Sequence, residues 1–356
     1  MTKHTIHIIK KDETLQSIAK LYNISVEELR IYHNTYCELS DLLEVSITNQ
    51  THILIPPKKE NEKIKVKLDK NNHLLYHPIQ SKYEYGVIIT MEDGEEKNEL
   101  KYETSVKWVQ KYEDLHIFEI DRLSKMYVNE EEVNSIADRL AYETSKVLFP
   151  MHIMVDGYGN WEGVAKYNKY PERWKNIKKQ IYREFEGEIV EEYLKKVEKV
   201  LENPQQIEFY MGGDFFLRSL FLGYCMRYDN DFTAEKHISF PIVSNGIEPN
   251  YKVKVKIEPY LDEYNFICVE IEGVLADERS PIDFINGNLF ATETYQGVPF
   301  GKLWVKVFLN PNSCIPETLH LECSMDLEKT KKVSVIIANL AERELQVRNK
   351  NNSMLG

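Results

Sequence analysis

Cysteine is scarce: Cys37, Cys225, Cys268, Cys314 and Cys323 are the only five in 356 residues. They are scattered and odd in number, and no two form a C-x-x-C pair. That excludes a zinc ribbon and a thioredoxin-type motif and favours a reducing compartment. Long apolar runs are missing too. The densest stretch, Phe215 to Met226, is broken by Arg218 and falls short of the ~20 residues a membrane helix needs, so no membrane span is expected. Positive charge is the scarcer sign, with 45 Lys and Arg against 57 Asp and Glu and a net charge of −12. No nucleic-acid partner is expected from that balance, because neutralising phosphates takes clustered Lys and Arg. From Met1 to Glu13 the apolar stretch is too short for a signal-peptide core. The expected place of synthesis is the cytoplasm, with any export left to a non-classical secretion machine.

Motifs that carry chemistry are also absent. There is no H-E-x-x-H, no G-x-S-x-G and no phosphate-binding glycine loop. No catalytic residue, metal or cofactor is assigned, and the reading leans away from an enzyme. Cys225, Cys268 and Cys323 lie in apolar patterns and read as small buried hydrophobes. Glu162, Asp214, Glu270 and Glu272 lie in apolar surroundings, but no spacing selects a glycosidase pair. Asp156-Gly157-Tyr158-Gly159-Asn160 reads as a hairpin turn, since it lacks the span and terminal Glu of a calcium loop. His73 and His77 read as strand or turn residues, and His4 and His7 as surface groups. Trp174, Ile177, Ile181 and Phe185 recur at helical spacing and read as a core stripe.

What is present is ample core material, 42% hydrophobic with 11% aromatic, in a length that suggests two or three domains at roughly 150 residues each. The first unit spans residues 1–57. Thr5 to Ile9 alternates as a strand. Leu15, Ile18, Ala19 and Tyr22 share one helix face, and Ser25 with Glu28 has the capping-box pattern before a second helix whose face runs through Val26, Leu29 and Tyr32 or His33. A helical turn is expected around Ser40 to Val45. His52 to Ile55 is a strand stopped by Pro56 and Pro57.

Lys11-Asp12-Glu13-Thr14-Leu15-Gln16-Ser17-Ile18-Ala19, then Tyr22-Asn23-Ile24-Ser25-Val26-Glu27-Glu28-Leu29, then Asn34, then Ile53-Leu54-Ile55-Pro56 resemble the LysM domain over about residues 4–57. The resemblance implies a βααβ fold, two helices on one side of a two-stranded antiparallel sheet. It also implies binding of glycans rich in N-acetylglucosamine, such as peptidoglycan, in a shallow groove between two loops. Carried onto this chain, the glycan-binding residues are Asp12, Glu13, Thr14 and Leu15 on one side and Asn49, Gln50 and Thr51 on the other. The sequence departs from the family where Asp12-Glu13-Thr14 stands for Gly-Asp-Thr, and where Asn49-Gln50 replaces a glycine. These side chains narrow a groove that otherwise admits sugar by close backbone approach.

Residues 58–70 read as a charged linker running into an edge strand, and 71–345 as an α+β body of antiparallel strands with inserted helices. Strands are expected at 83–91, 102–110, 116–122, 151–155 and 160–167, and again at 236–243, 251–260, 265–274, 289–296, 302–309, 318–325 and 332–339. Helices are expected from Glu131 to Leu148 with Asn129 as cap, from Pro171 to Glu186, from Glu188 to Leu201, and from Asp214 to Met226. Residues 346–356 read as a flexible tail. The expected function is a non-catalytic glycan-binding protein. An adaptor or structural part of a contractile injection or secretion assembly, with protein partners, is the alternative. A cell-wall hydrolase or effector comes third.

Overall fold

The structure, a computed structural model, describes residues 5–340 apart from 12, 23, 38–40, 44–45, 48–49, 57–62, 133–134, 244–247 and 293–296, and only the backbone at 35. The chain is α+β and divides into two compact units, Met1–Ile64 and Lys65–Gly356.

The first unit runs β1 (Thr5–Ile8), α1 (Leu15–Tyr22), α2 (Val26–Tyr36) and β2 (His52–Ile55). The strands pair antiparallel, Thr5 opposite Ile55 and Ile8 opposite His52. The helix faces read from spacing are those that bury. Leu15, Ile18 and Ala19 of α1 and Leu29 of α2 meet Leu43, Ile53 and Ile55 in one small core. Ser25 caps α2, its Oγ accepting the Glu28 N–H at 3.0 Å, a contact whose loss costs about 1 kcal/mol. Side chains hold the long α2–β2 loop. Asn34 grips Leu43 with both ends of its carboxamide, Nδ2 donating to the carbonyl and Oδ1 accepting the N–H, each at 2.8 Å. His33 is fully buried, with Nδ1 accepting the Leu54 N–H at 3.0 Å and Nε2 2.8 Å from the Asp41 carbonyl, which places its proton on Nε2. Of the turn expected around Ser40 to Val45, residues 41–43 are described and the rest lie outside the described residues.

The second unit begins at Lys65, inside the stretch expected as linker. Lys65 pairs with Tyr260, and the buried Val66 donates its N–H to the Pro259 carbonyl at 2.9 Å. The elements are β3 (Lys82–Asp93), β4 (Glu96–Tyr112), β5 (Leu115–Arg122), β6 (Tyr127–Val128), β7 (Glu131–Glu132), α3 (Ile136–Ser145), β8 (Met151–Val155) and β9 (Trp161–Ala165). Then come α4 (Tyr170–Glu184), α5 (Glu188–Glu202), α6 (Pro204–Gly212), α7 (Phe215–Leu220), β10 (Thr233–Ser239), β11 (Asn250–Ile257) and β12 (Ile267–Leu275). The last are α8 (Pro281–Asn286), β13 (Gly301–Leu309), β14 (Pro316–Asp326) and β15 (Thr330–Asn339).

One antiparallel sheet takes the strands in the order β10-β11-β12-β13-β14-β15-β3-β4-β5-β8-β9, with β6 and β7 attached to β4. Alternation decides the inner face: Tyr85, Val87 and Ile89 of β3 and Val333, Val335 and Ile337 of β15 are all buried, as period-two patterning requires. The sheet curls until its two edges meet one segment. Trp161 of β9 donates its N–H to the Phe221 carbonyl at 3.0 Å and Asn160 pairs with Leu222, while Lys236 of β10 donates Nζ to the Leu222 and Gly223 carbonyls at 2.8 and 2.7 Å. Helix α7 packs on β3, β14 and β15. Its Phe216 meets Tyr85 edge-on at 6.3 Å, and Phe221 just beyond it lies 5.2 Å from Phe118.

Four expectations change. The helix from Glu131 starts at Ile136 with Ser135 as cap and ends in a 3-10 turn at 146–148. Asn129 and Glu130 instead take φ of 51° and 68°, the left-handed pair that joins β6 to β7 and that Asn tolerates well. The helix from Asp214 stops at Leu220 because Gly223, at φ 72°, turns the chain into the edge-bridging segment. Helix α6 lies where no helix is expected, with Pro204 at its first turn and the Asn203 side chain accepting the Gln205 N–H. Residues 289–292 form no strand; a capping box of Ser280 and Asp283 starts α8 just before them, and 293–296 lie outside the described residues.

Candidate glycan-binding groove

The two loops of the expected groove leave the β1–β2 ladder side by side, because Ile9 donates its N–H to the Thr51 carbonyl at 3.0 Å. On one side the chain turns at Lys10. Glu13 donates its N–H to the Lys10 carbonyl at 3.2 Å, and its Oε2 accepts the Lys10 N–H at 2.8 Å. The same oxygen lies 2.9 Å from His7 Nε2. The Lys10 N–H first, and His7 second, hold the Glu13 carboxyl below the usual carboxylate range.

Thr14 caps α1 through a reciprocal pair. Its Oγ1 accepts the Ser17 N–H at 3.1 Å, while its own N–H reaches Ser17 Oγ at 2.9 Å. Its side chain is exposed. Leu15 is not at the surface; its side chain belongs to the core, so only its backbone can face a ligand. On the other side Gln50 donates Nε2 to the Leu42 carbonyl at 2.8 Å, and Thr51 is exposed with its Oγ1 3.3 Å from His52 Nδ1. Asp12 and Asn49 lie outside the described residues. The rim thus offers hydroxyls and backbone groups, the kind of partners a sugar's own hydroxyls need.

His7, expected at the surface, is buried, with Nδ1 3.0 Å from the Tyr22 hydroxyl and its ring edge-on to Tyr22 at 5.5 Å. The available signal was alternation, which puts His7 on the face of β1 opposite Ile6 and Ile8. His4 lies outside the described residues.

In the second unit the singled-out residues serve structure. Asp156 Oδ1 accepts the N–H groups of Tyr158 and Asn160 at 2.8 Å each, building the β8–β9 turn. Asp214 caps α7, and Glu270 pairs with Lys306 at 2.8 Å. Burial pushes the Cys225, Cys268 and Cys323 thiols up, away from the thiolate a nucleophile needs. Trp174, Ile181 and Phe185 are core residues. Among the described residues no group of three or more His, Cys, Asp and Glu side chains could hold a metal ion, and no helix is long and apolar enough to cross a membrane.

Comparison with known families agrees with this geometry. Residues 7–32, from the end of β1 through most of α2, match the LysM domain. The N-terminal unit is a LysM domain, a class that implies binding of peptidoglycan- or chitin-type glycan. No curated protein matches the chain.

Proposed function

We propose that the protein is a glycan-binding protein whose LysM domain takes N-acetylglucosamine-rich chains of the peptidoglycan type. The sugar lies between the Lys10–Thr14 turn and the Gln50–Thr51 loop. The observation that carries this reading is the Ile9–Thr51 hydrogen bond, which sets the two loops side by side within a domain of glycan-binding type. Thr14 and Thr51 present exposed hydroxyls, and Glu13, fixed by His7 and Lys10, shapes one wall. The second unit is a body carried with that domain.

The test is retention of the full chain on purified peptidoglycan sacculi. Thr51→Trp, which lays a ring across the groove, is expected to lower retention at least tenfold with an unchanged melting temperature. Failure of the unmodified chain to bind sacculi at any salt concentration overturns the reading.

A further inference from the structure

The second unit has a half-open cavity of about 310 Å³ between β3, β4, β5 and β8 and the α6–α7 turn, with Met91 and Tyr210 exposed at its mouth. Its wall is apolar and adaptable. Met91, Met126, Met151 and Met211 contribute thioether chains, and Phe149 and Phe215 contribute rings, side chains that reshape around a guest. Arg122 brings a guanidinium into this wall. Its Cζ lies 4.6 Å from the Phe149 ring centre and 5.2 Å from that of Tyr142, and Nη1 donates to Ser145 Oγ at 2.9 Å. Arg218 and Arg279 pair with Glu248 and Asp277, but Arg122 forms no ion pair among the described residues. Asp214 shares the wall, yet its Oδ1 is taken up by the Leu217 N–H at 2.9 Å. Burial pushes the Asp214 carboxyl up and the Arg122 guanidinium down, although each charge favours the charged form of the other, so their mutual attraction does not make up for the lost solvent.

We propose that this cavity binds an amphipathic monocarboxylate, its head on Arg122 and its chain among the methionines. The planar guanidinium fork matches a carboxylate in two parallel hydrogen bonds. At roughly 30 Å³ per non-hydrogen atom the space holds roughly ten atoms, an acid of about eight carbons. A second apolar cavity, about 370 Å³ between α3, α5 and α6, shares Tyr210 and Met211 with the first and includes Ser145. A longer tail reaches it only past those two side chains.

The experiment is calorimetric titration of the full chain with straight-chain carboxylates from butanoate to dodecanoate, beside 1-octanol. Each added methylene is expected to tighten binding about fourfold up to about eight carbons. Beyond that length, levelling means that the first cavity alone is used, and continued tightening that both are. Octanol is expected to bind at least tenfold more weakly than octanoate. Arg122→Gln is expected to weaken octanoate at least tenfold and leave octanol unchanged. If that variant does not fold, the octanoate-to-octanol ratio of the unmodified chain decides. No carboxylate binding in the millimolar range, equal affinity for acid and alcohol, or unchanged octanoate affinity in folded Arg122→Gln overturns the proposal.

Discussion

Nε2 of His7, on the buried face of β1, lies 2.9 Å from Oε2 of Glu13 in the loop proposed to wall the glycan groove. The core of the LysM domain is thereby tied to that proposed binding loop. Glu13 titrates below its ordinary value of 4.5 because the Lys10 N–H and His7 favour its charged form. The stabilisation is therefore complete above pH 4.5 and is lost as pH falls through the lowered value. Retention on sacculi is expected to decline in that acidic window. Glu13→Gln is expected to bind more weakly at pH 7 and to show a flat profile there. A pull-down series in pH measures both.

Leu29 is fully buried in a core of seven residues. Leu29→Ala is expected to cost about 2–5 kcal/mol, most of what so small a domain has. Sacculus retention should disappear while the second unit keeps its near-ultraviolet circular dichroism and melting transition, because its core is a separate cluster.

Gly223 turns the chain at φ 72°, and a Cβ there would sit 1.8 Å from Asn160 Oδ1. Gly223→Ala is expected to destabilise the second unit by at least ~2 kcal/mol, since strain and a clash add. Gly187, at φ 116° with nothing within 4 Å of its added Cβ, provides the comparison. Its Ala variant should lose only the backbone cost, about 1–3 kcal/mol, and less than Gly223→Ala, which adds the clash. Denaturant midpoints compare the two.

Lys236 is driven down to about 8 from 10.5 by burial, so the folded chain releases its proton before the unfolded chain does. Below pH 8 the charged form costs stability in full. Between about 8 and 10.5 the unfolded state binds more protons, and stability rises with pH. Relative to Lys236→Met, the unmodified chain should gain up to ~3 kcal/mol across that window. The variant should also carry a pH-independent cost of about 1–3 kcal/mol, because the Leu222 and Gly223 carbonyls lose their donor. Denaturation at several pH values tests the difference.

The LysM domain was readable because its determinants lie close together in the chain. Ser25 acts on Glu28 and Asn34 on Leu43 within about ten residues, and the α1 face shows as local spacing even though it packs on Ile53 and Ile55. The second unit was readable strand by strand, since alternation marks a half-buried strand wherever it pairs. Asn129 suits both a helix cap and a left-handed turn, and pairing of β6 with β4 selects the turn. The apolar run after Asp214 fits a buried helix equally well, and only the closeness of Asn160 to Gly223 shows why it ends.

Composition and periodicity by themselves determined that the chain is α+β, that a βααβ unit opens it, and that strands dominate its C-terminal part. These follow from local spacing, which each segment carries alone. Tertiary structure decided the rest. It joined β15 to β3, although more than two hundred residues separate Lys331 from Asp93, and it curled the sheet onto one bridging segment. It also buried His7 behind Glu13 and left Arg122 facing an apolar cavity. Each depends on which distant surfaces meet, and that is settled by packing and charge compensation across the fold.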